Sequence, residues 1–196
     1  MENIVILGWG SLIWDKSPEF DRYLKAWTSG GPQLPIEFCR KSKTRCNALT
    51  LVIDRKFGTQ IETLYAFSKR NDPRDVICDL RSREGTTIEN IGFVNIENGE
   101  GHGCDPEGRE VIKTWASSKS INFVAWTDLK SNFDEQNLDK FIRAAIAHLK
   151  NLDLMGIREA LKYIVNAPTQ TNTRLRQILM NDEWFKEQIE IYDKET

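Results

Sequence analysis

The sequence predicts an α+β fold, a mixed and largely antiparallel β-barrel-like sheet flanked by helices. Short runs rich in Val, Ile, Phe, Tyr, Trp and Thr fill the first half of the chain, and the second half carries apolar residues at helical spacing. The strand runs do not alternate regularly with helical ones, which argues against a doubly wound parallel sheet. With 196 residues, 40% of them apolar, and no repeat or long linker, the chain is expected to form one domain over residues 1–196. Its helical C-terminal part is expected to begin near residue 134.

The expected strands are Ile4–Leu7, Ala48–Ile53, Ile61–Phe67, Ile91–Ile96 and Ile121–Thr127, with Pro35–Lys41 as a further candidate. One helix interrupts them. Asp72-Pro73 supplies a cap and a favoured first helical residue, Val76, Ile77 and Leu80 an apolar face, and Gly85 the stop. In the second half Leu138, Phe141, Ile142, Ala145, Ile146, Leu149 and Leu152 mark one buried helix face. Ile157–Asn166 follows and ends before Pro168. Thr173 caps a helix through Leu175, Ile178 and Leu179, and Trp184, Phe185, Ile189 and Tyr192 mark a last segment.

Composition narrows the function classes. A net charge of −2 offers no global basic field for nucleic acid. No apolar run approaches membrane-spanning length and the first ten residues lack the pattern of a signal peptide, so a cytoplasmic protein is expected. The cysteines (Cys39, Cys46, Cys78, Cys104) form no Cys-x-x-Cys pair and read as free thiols. Two histidines make a His-rich metal site or a Ser-His-Asp triad a poor starting point. His102 falls in the glycine-rich loop Asn98–Cys104, and His148 borders an apolar helix face as a packing residue. The basic run Arg40–Arg45 reads as a solvated turn between strands.

Two segments carry candidate chemistry. Gly8-Trp9-Gly10-Ser11-Leu12-Ile13-Trp14 follows the apolar run Ile4–Leu7, and its glycines let backbone N–H groups converge on a carboxylate or phosphate. Asp79-Leu80-Arg81-Ser82-Arg83-Glu84-Gly85 closes the predicted helix and sets Glu84 at its C-terminus, a position that favours the neutral carboxyl. Whether Arg81 and Arg83 point toward that carboxyl is open at this level.

Taken together, these segments resemble the gamma-glutamylcyclotransferase-like family, including its ChaC-type branch acting on glutathione. That family opens with a strand and a Gly-Tyr-Gly-Ser-Leu loop, often followed by Ile-Trp. It then places a catalytic glutamate in an Arg-Glu pair at a helix end. The matching residues are Gly8 to Trp14 and Arg83-Glu84, and Leu64–Phe67 before the helix follows the same order of elements. Trp9 stands where the family usually has tyrosine, and the segment after Glu84 lacks the tyrosine of several ChaC-type members.

The resemblance implies cyclisation of a γ-glutamyl compound to 5-oxoproline with release of an amine or peptide. Glu84 would be the general acid/base, and Gly8, Trp9, Gly10, Ser11 and Leu12 would bind the substrate. It implies no cofactor and no metal, and a small-molecule γ-glutamyl substrate as partner rather than nucleic acid or membrane. The reaction suits a site with few catalytic groups. The substrate's own α-amine is the nucleophile, and oriented intramolecular attack is worth about 7–11 kcal/mol. One carboxylate between the two nitrogens can move both protons. A rival reading is a non-catalytic binding module on the same scaffold, recognising a carboxylate-bearing small molecule or partner. A third is another amide-bond enzyme acting on a γ-glutamyl-tagged metabolite.

Overall fold

The structure, a computed structural model, describes residues 3–195. In chain order its first elements are β1 (Ile4–Gly8), α1 (Ser11–Trp14), α2 (Pro18–Asp21), β2 (Gln33–Ser42), β3 (Ala48–Ile53), β4 (Thr59–Glu62), β5 (Leu64–Phe67) and α3 (Pro73–Glu84). There follow β6 (Ile91–Asn95), β7 (Gly101–His102), α4 (Pro106–Ser118), β8 (Phe123–Thr127), α5 (Leu138–Lys150), α6 (Leu154–Val165), α7 (Arg174–Leu179) and α8 (Glu183–Glu195). The class is α+β. The chain divides into two compact units, one holding the residues up to Leu34 together with Glu62–Leu129, the other Pro35–Ile61 together with the residues from Lys130 on.

The first unit is built on a five-stranded mixed sheet of order β5-β1-β8-β6-β7. β1 runs antiparallel to β5 and parallel to β8, with Ile4 beside Phe123 and Ile6 beside Ala125. β8 pairs antiparallel with β6, Ile91 opposite Thr127. Period-2 alternation then sorts the side chains. Ile4, Ile6, Ala66, Ile91, Phe123 and Ala125 gather on one face with Val76 and Leu80 of α3. Tyr65, out of phase with Ala66, meets Trp115 of α4 at 5.1 Å between ring centroids. α3, with Leu12 of α1 and Phe20 of α2, therefore covers one face of the sheet, and α4 packs on the other.

α3 keeps the ends its sequence announces. The Asp72 carboxylate accepts from the Arg74 N–H at 2.8 Å, Pro73 opens the helix, and Gly85 closes it at φ 57°. α4 begins with the same device, Asp105 accepting from the Gly108 N–H ahead of Pro106. α4 was not among the helices expected from the sequence, although Asp105-Pro106 repeats the Asp-Pro signature of α3.

The expected barrel is corrected to two open sheets; no closed barrel is found among the described strands. The predicted strand Ile61–Phe67 breaks at the fully buried Thr63, whose N–H and hydroxyl both turn to the Pro32 carbonyl. Beyond that break the outer edge of β5 is occupied by an irregular segment. The Lys25 and Thr28 N–H groups donate to the Phe67 and Tyr65 carbonyls, both at 2.8 Å. An edge already covered in this way has no free groups with which to close a barrel.

The second unit holds the three-stranded sheet β3-β2-β4 and helices α5 to α8. β2 and β3 pair antiparallel with one extra residue in β2 between Glu37 and Arg40, a bulge. Phe38 meets Tyr163 of α6 edge-on at 6.1 Å, and Phe57 stacks on Phe141 of α5 at 4.5 Å. Gly156 lets α6 approach the Cys46 carbonyl, where a Cβ would come within 2.7 Å. The predicted helices of this half are all present, displaced by a few residues at their ends. Among the described residues no helix is long and apolar enough to cross a membrane.

Candidate functional site

The two motif segments meet in the first unit. β1 ends at Gly8, Trp9 is buried, and Gly10 caps the single turn α1, in which Ser11 and Leu12 are also buried. The segment expected to be a loop is thus partly helical. As the first residues of α1, Ser11 and Leu12 have N–H groups with no acceptor inside the helix, and the glycine cap has no side chain to offer them. That leaves the two donors suited to an anion.

The glycines act differently from the sequence expectation. Neither Gly8 nor Gly10 adopts a positive φ. Gly8 is required by close approach, since a Cβ there would come within 2.7 Å of the Trp27 ring and 3.3 Å of Ile13. Trp27 packs on the same core face as α3, so it is the bulk of a tryptophan that excludes a side chain at the end of β1.

Glu84 is the last residue of α3 and is half-buried. Its neighbour Arg83 joins that helix end to the motif turn. The Arg83 Nη2 donates to the Asp15 carbonyl at 2.7 Å and, more weakly, to the Ser11 carbonyl at 3.4 Å. It also lies 3.8 Å from the Asp15 carboxylate. The Arg83 Nη2 thus faces α1 and Asp15, while its Nε is buried with no hydrogen-bond partner among the described residues. The Asp15 carbonyl, at the C-cap of α1, is a favourable place for a cation, whereas the Ser11 carbonyl already accepts from the Asp15 N–H at 2.9 Å. Farther along α3, Asp79 accepts two hydrogen bonds from Arg70, at 2.8 and 3.1 Å, and the Arg70 guanidinium stacks 3.5 Å from the Tyr23 ring centroid. α3 is thereby anchored at two points along its length.

A second strand end lies beside that of β1, since β8 runs parallel to it with Ile6 beside Ala125. Thr127 closes β8, and its Oγ1 is buried with no hydrogen-bond partner among the described residues. Nothing in the sequence marked this threonine, because a β-branched residue at a strand end is ordinary. Next to it the buried Asp128 accepts from the Cys104 N–H at 2.9 Å and the Trp126 indole N–H at 3.2 Å.

The remaining candidates lie elsewhere. His102 is exposed on β7, its Nε2 2.9 Å from the Glu89 carbonyl, and His148 Nε2 is 2.8 Å from the Asn47 carbonyl. Among the described residues no group of three or more His, Cys, Asp and Glu side chains is disposed to hold a metal ion. The basic run is stitched into the second unit. Arg40 donates to the Lys130 carbonyl, Lys41 sits over the Phe133 ring, and Arg45 lies 3.7 Å from Glu159. None of the four cysteines is in a disulfide among the described residues, and burial holds the Cys39 thiol far above the usual range.

Glu37, like Asp128, is a buried acid that no sequence signal marked. Glu37 on β2 is fully buried in the second unit. Its carboxylate accepts from the Phe38 N–H at 2.9 Å, the Leu175 N–H at 3.2 Å and the Thr59 hydroxyl at 3.5 Å. Burial pushes its pKa up, against these hydrogen bonds and one from Thr173. It joins β2, β4 and the start of α7, an internal tie rather than an accessible group.

Comparison with family models, with curated proteins and with solved structures finds no match to this chain.

Proposed function

We propose that this chain is a gamma-glutamylcyclotransferase-like enzyme, in fold and in activity. It cyclises a γ-glutamyl compound to 5-oxoproline and releases an amine or peptide, without a cofactor, in the cytoplasm, where its thiols stay reduced. The observation that supports the proposal is the Arg83 link: the residue next to Glu84 donates to the Asp15 carbonyl and, weakly, to the Ser11 carbonyl of the turn that follows β1. Each motif is weak alone; their contact in the folded chain is what supports reading them as one site.

In this reading the N–H groups at the start of α1 hold the substrate α-carboxylate. The γ-glutamyl chain folds so that its α-amine faces its own γ-carbonyl. Glu84 takes a proton from the α-ammonium, the freed amine attacks the γ-carbonyl carbon, and a five-membered lactam closes. The bond from that carbon to the outgoing nitrogen breaks as Glu84 returns that proton to it; the ring nitrogen then gives its second surplus proton to Glu84, which passes it to the released amine, so the lactam leaves neutral and the amine leaves as an ammonium. No group is consumed, and the enzyme ends in the state in which it began. Ser11 serves as a buried hydrogen-bonding wall of the pocket, since it sits in no nucleophile elbow.

The test is release of 5-oxoproline from a panel of γ-glutamyl amines and dipeptides. Glu84→Gln is expected to abolish release while leaving the unfolding midpoint near that of the wild type. Sustained turnover in that variant would falsify the role assigned to Glu84. One observation favours the rival binding module: buried Trp9 replaces the tyrosine usual in the family, so no phenolic hydroxyl is supplied there. A γ-glutamyl compound or 5-oxoproline that stabilises wild type and Glu84→Gln equally, with no product formed, selects that reading.

A further inference from the structure

We infer that Thr127 is a substrate-binding residue of the proposed site, its hydroxyl donating a hydrogen bond to the α-carboxylate of the γ-glutamyl group; the inference rests on the cyclotransferase reading. Three relations bring Thr127 to the same corner as Gly8 and the end of α3. Along β8, Phe123 and Ala125 pack with Val76 and Leu80 of α3, and alternation puts Thr127 on that same face. Across the sheet Thr127 is opposite Ile91, which belongs to the same cluster. On the other side β1 runs parallel with Ile6 beside Ala125, so continuing both strands by two residues sets Gly8 beside Thr127. α3 ends here as well. From Glu84 the chain passes through the short turn Ile88–Asn90 directly into Ile91, and Arg83 reaches the Ser11 and Asp15 carbonyls that follow β1.

The hydroxyl at this corner is out of balance. A buried polar atom without a partner is unfavourable, and native structures hold few of them. Thr127 as a residue is only half-buried, so the corner is not sealed. Its Oγ1 has no hydrogen bond to give up among the described residues, and a turn about χ1 exchanges hydroxyl and methyl between staggered wells. A carboxylate seated on the Ser11 and Leu12 N–H groups, next to Gly8, offers the acceptor the hydroxyl lacks. The main chain would then hold the charge, and Thr127 would read its presence.

The experiment is steady-state kinetics on whichever γ-glutamyl compound the wild type cyclises, with Thr127→Val, Thr127→Ala and Thr127→Ser. Valine keeps the shape and removes the hydroxyl. KM should rise about tenfold or more, the loss expected for a hydrogen bond to a charged group, while kcat stays within about twofold. Alanine should repeat the KM rise, serine should restore KM to within about threefold, and the melting midpoint of the valine variant should not fall. Wild-type turnover with an unchanged KM in the valine and alanine variants overturns the role of Thr127 and leaves the reaction standing. A wild-type protein that releases no 5-oxoproline from any γ-glutamyl compound overturns the reaction, and the role of Thr127 with it.

Discussion

Replacing Arg83 by Met removes the guanidinium that fastens the end of α3 to the turn after β1, while keeping much of the side chain's apolar bulk. The dominant loss is the 2.7 Å bond to the Asp15 carbonyl, a charged donor on a neutral acceptor. Such bonds contribute about 1.5–3 kcal/mol. The 3.4 Å contact with Ser11 is near the limit of hydrogen bonding and adds little. The ion pair with Asp15 is long at 3.8 Å, and Asp15 keeps 32% of its side-chain surface exposed, so solvent screening holds it below about 1 kcal/mol. The sum is about 2–3 kcal/mol, to be read from urea unfolding followed by tryptophan fluorescence. Activity should suffer more than stability. A displacement of about 1 Å between reacting groups can cost about a hundredfold in rate, so kcat for 5-oxoproline release should drop by roughly that factor. Arg83→Lys keeps the charge and should recover part of it, as should free guanidinium added to the Met variant. An Arg83→Met protein within about 0.5 kcal/mol of wild-type stability and with wild-type kcat would refute the reasoning that Arg83 joins the two motifs.

Two further outcomes are expected. Gly8→Ala forces a methyl to within 2.7 Å of the Trp27 ring and should destabilise by about 1–3 kcal/mol; adding Trp27→Leu should return part of this, and a fully stable Gly8→Ala protein would contradict the close approach. Burial raises the folded-state pKa of Glu37 above its ordinary 4.5, so the folded chain keeps that proton to higher pH than the unfolded chain does. The resulting stability is complete below about pH 4.5 and is lost as pH rises through the raised value, so Glu37→Gln should flatten the fall of unfolding free energy above pH 4.5 relative to wild type; two parallel profiles would rule this out.

Much of the local structure was legible because it is encoded locally. The limits of α3 follow from Asp72-Pro73 and Gly85, a cap and a stop that act over one turn. β3 occupies Ala48–Ile53 as read, and the 3–4 spacing of Leu138 to Leu149 is the buried stripe of α5. α4 carries an equally local signal in Asp105-Pro106, directly after the glycine-rich loop. The barrel was not legible. Whether a strand edge meets another strand or an irregular segment such as Lys25–Thr28 depends on pairings between distant parts of the chain.

The sequence by itself singled out the candidate residues on which the proposed chemistry rests: a glycine-bounded segment after a buried strand, and a glutamate at a helix end. Residue type and spacing suffice for that, because a carboxyl or an N–H carries its chemistry wherever it is placed. Only the tertiary structure decided what the neighbours do. Arg83 donates to the carbonyls of Ser11 and Asp15, and Gly8 is kept small by Trp27 rather than by a left-handed φ. Thr127 and Glu37 show the same division. Nothing about a threonine or a glutamate in a strand says that its polar atoms will be buried. That follows from which face is covered, and the covering is settled by elements far away in the chain.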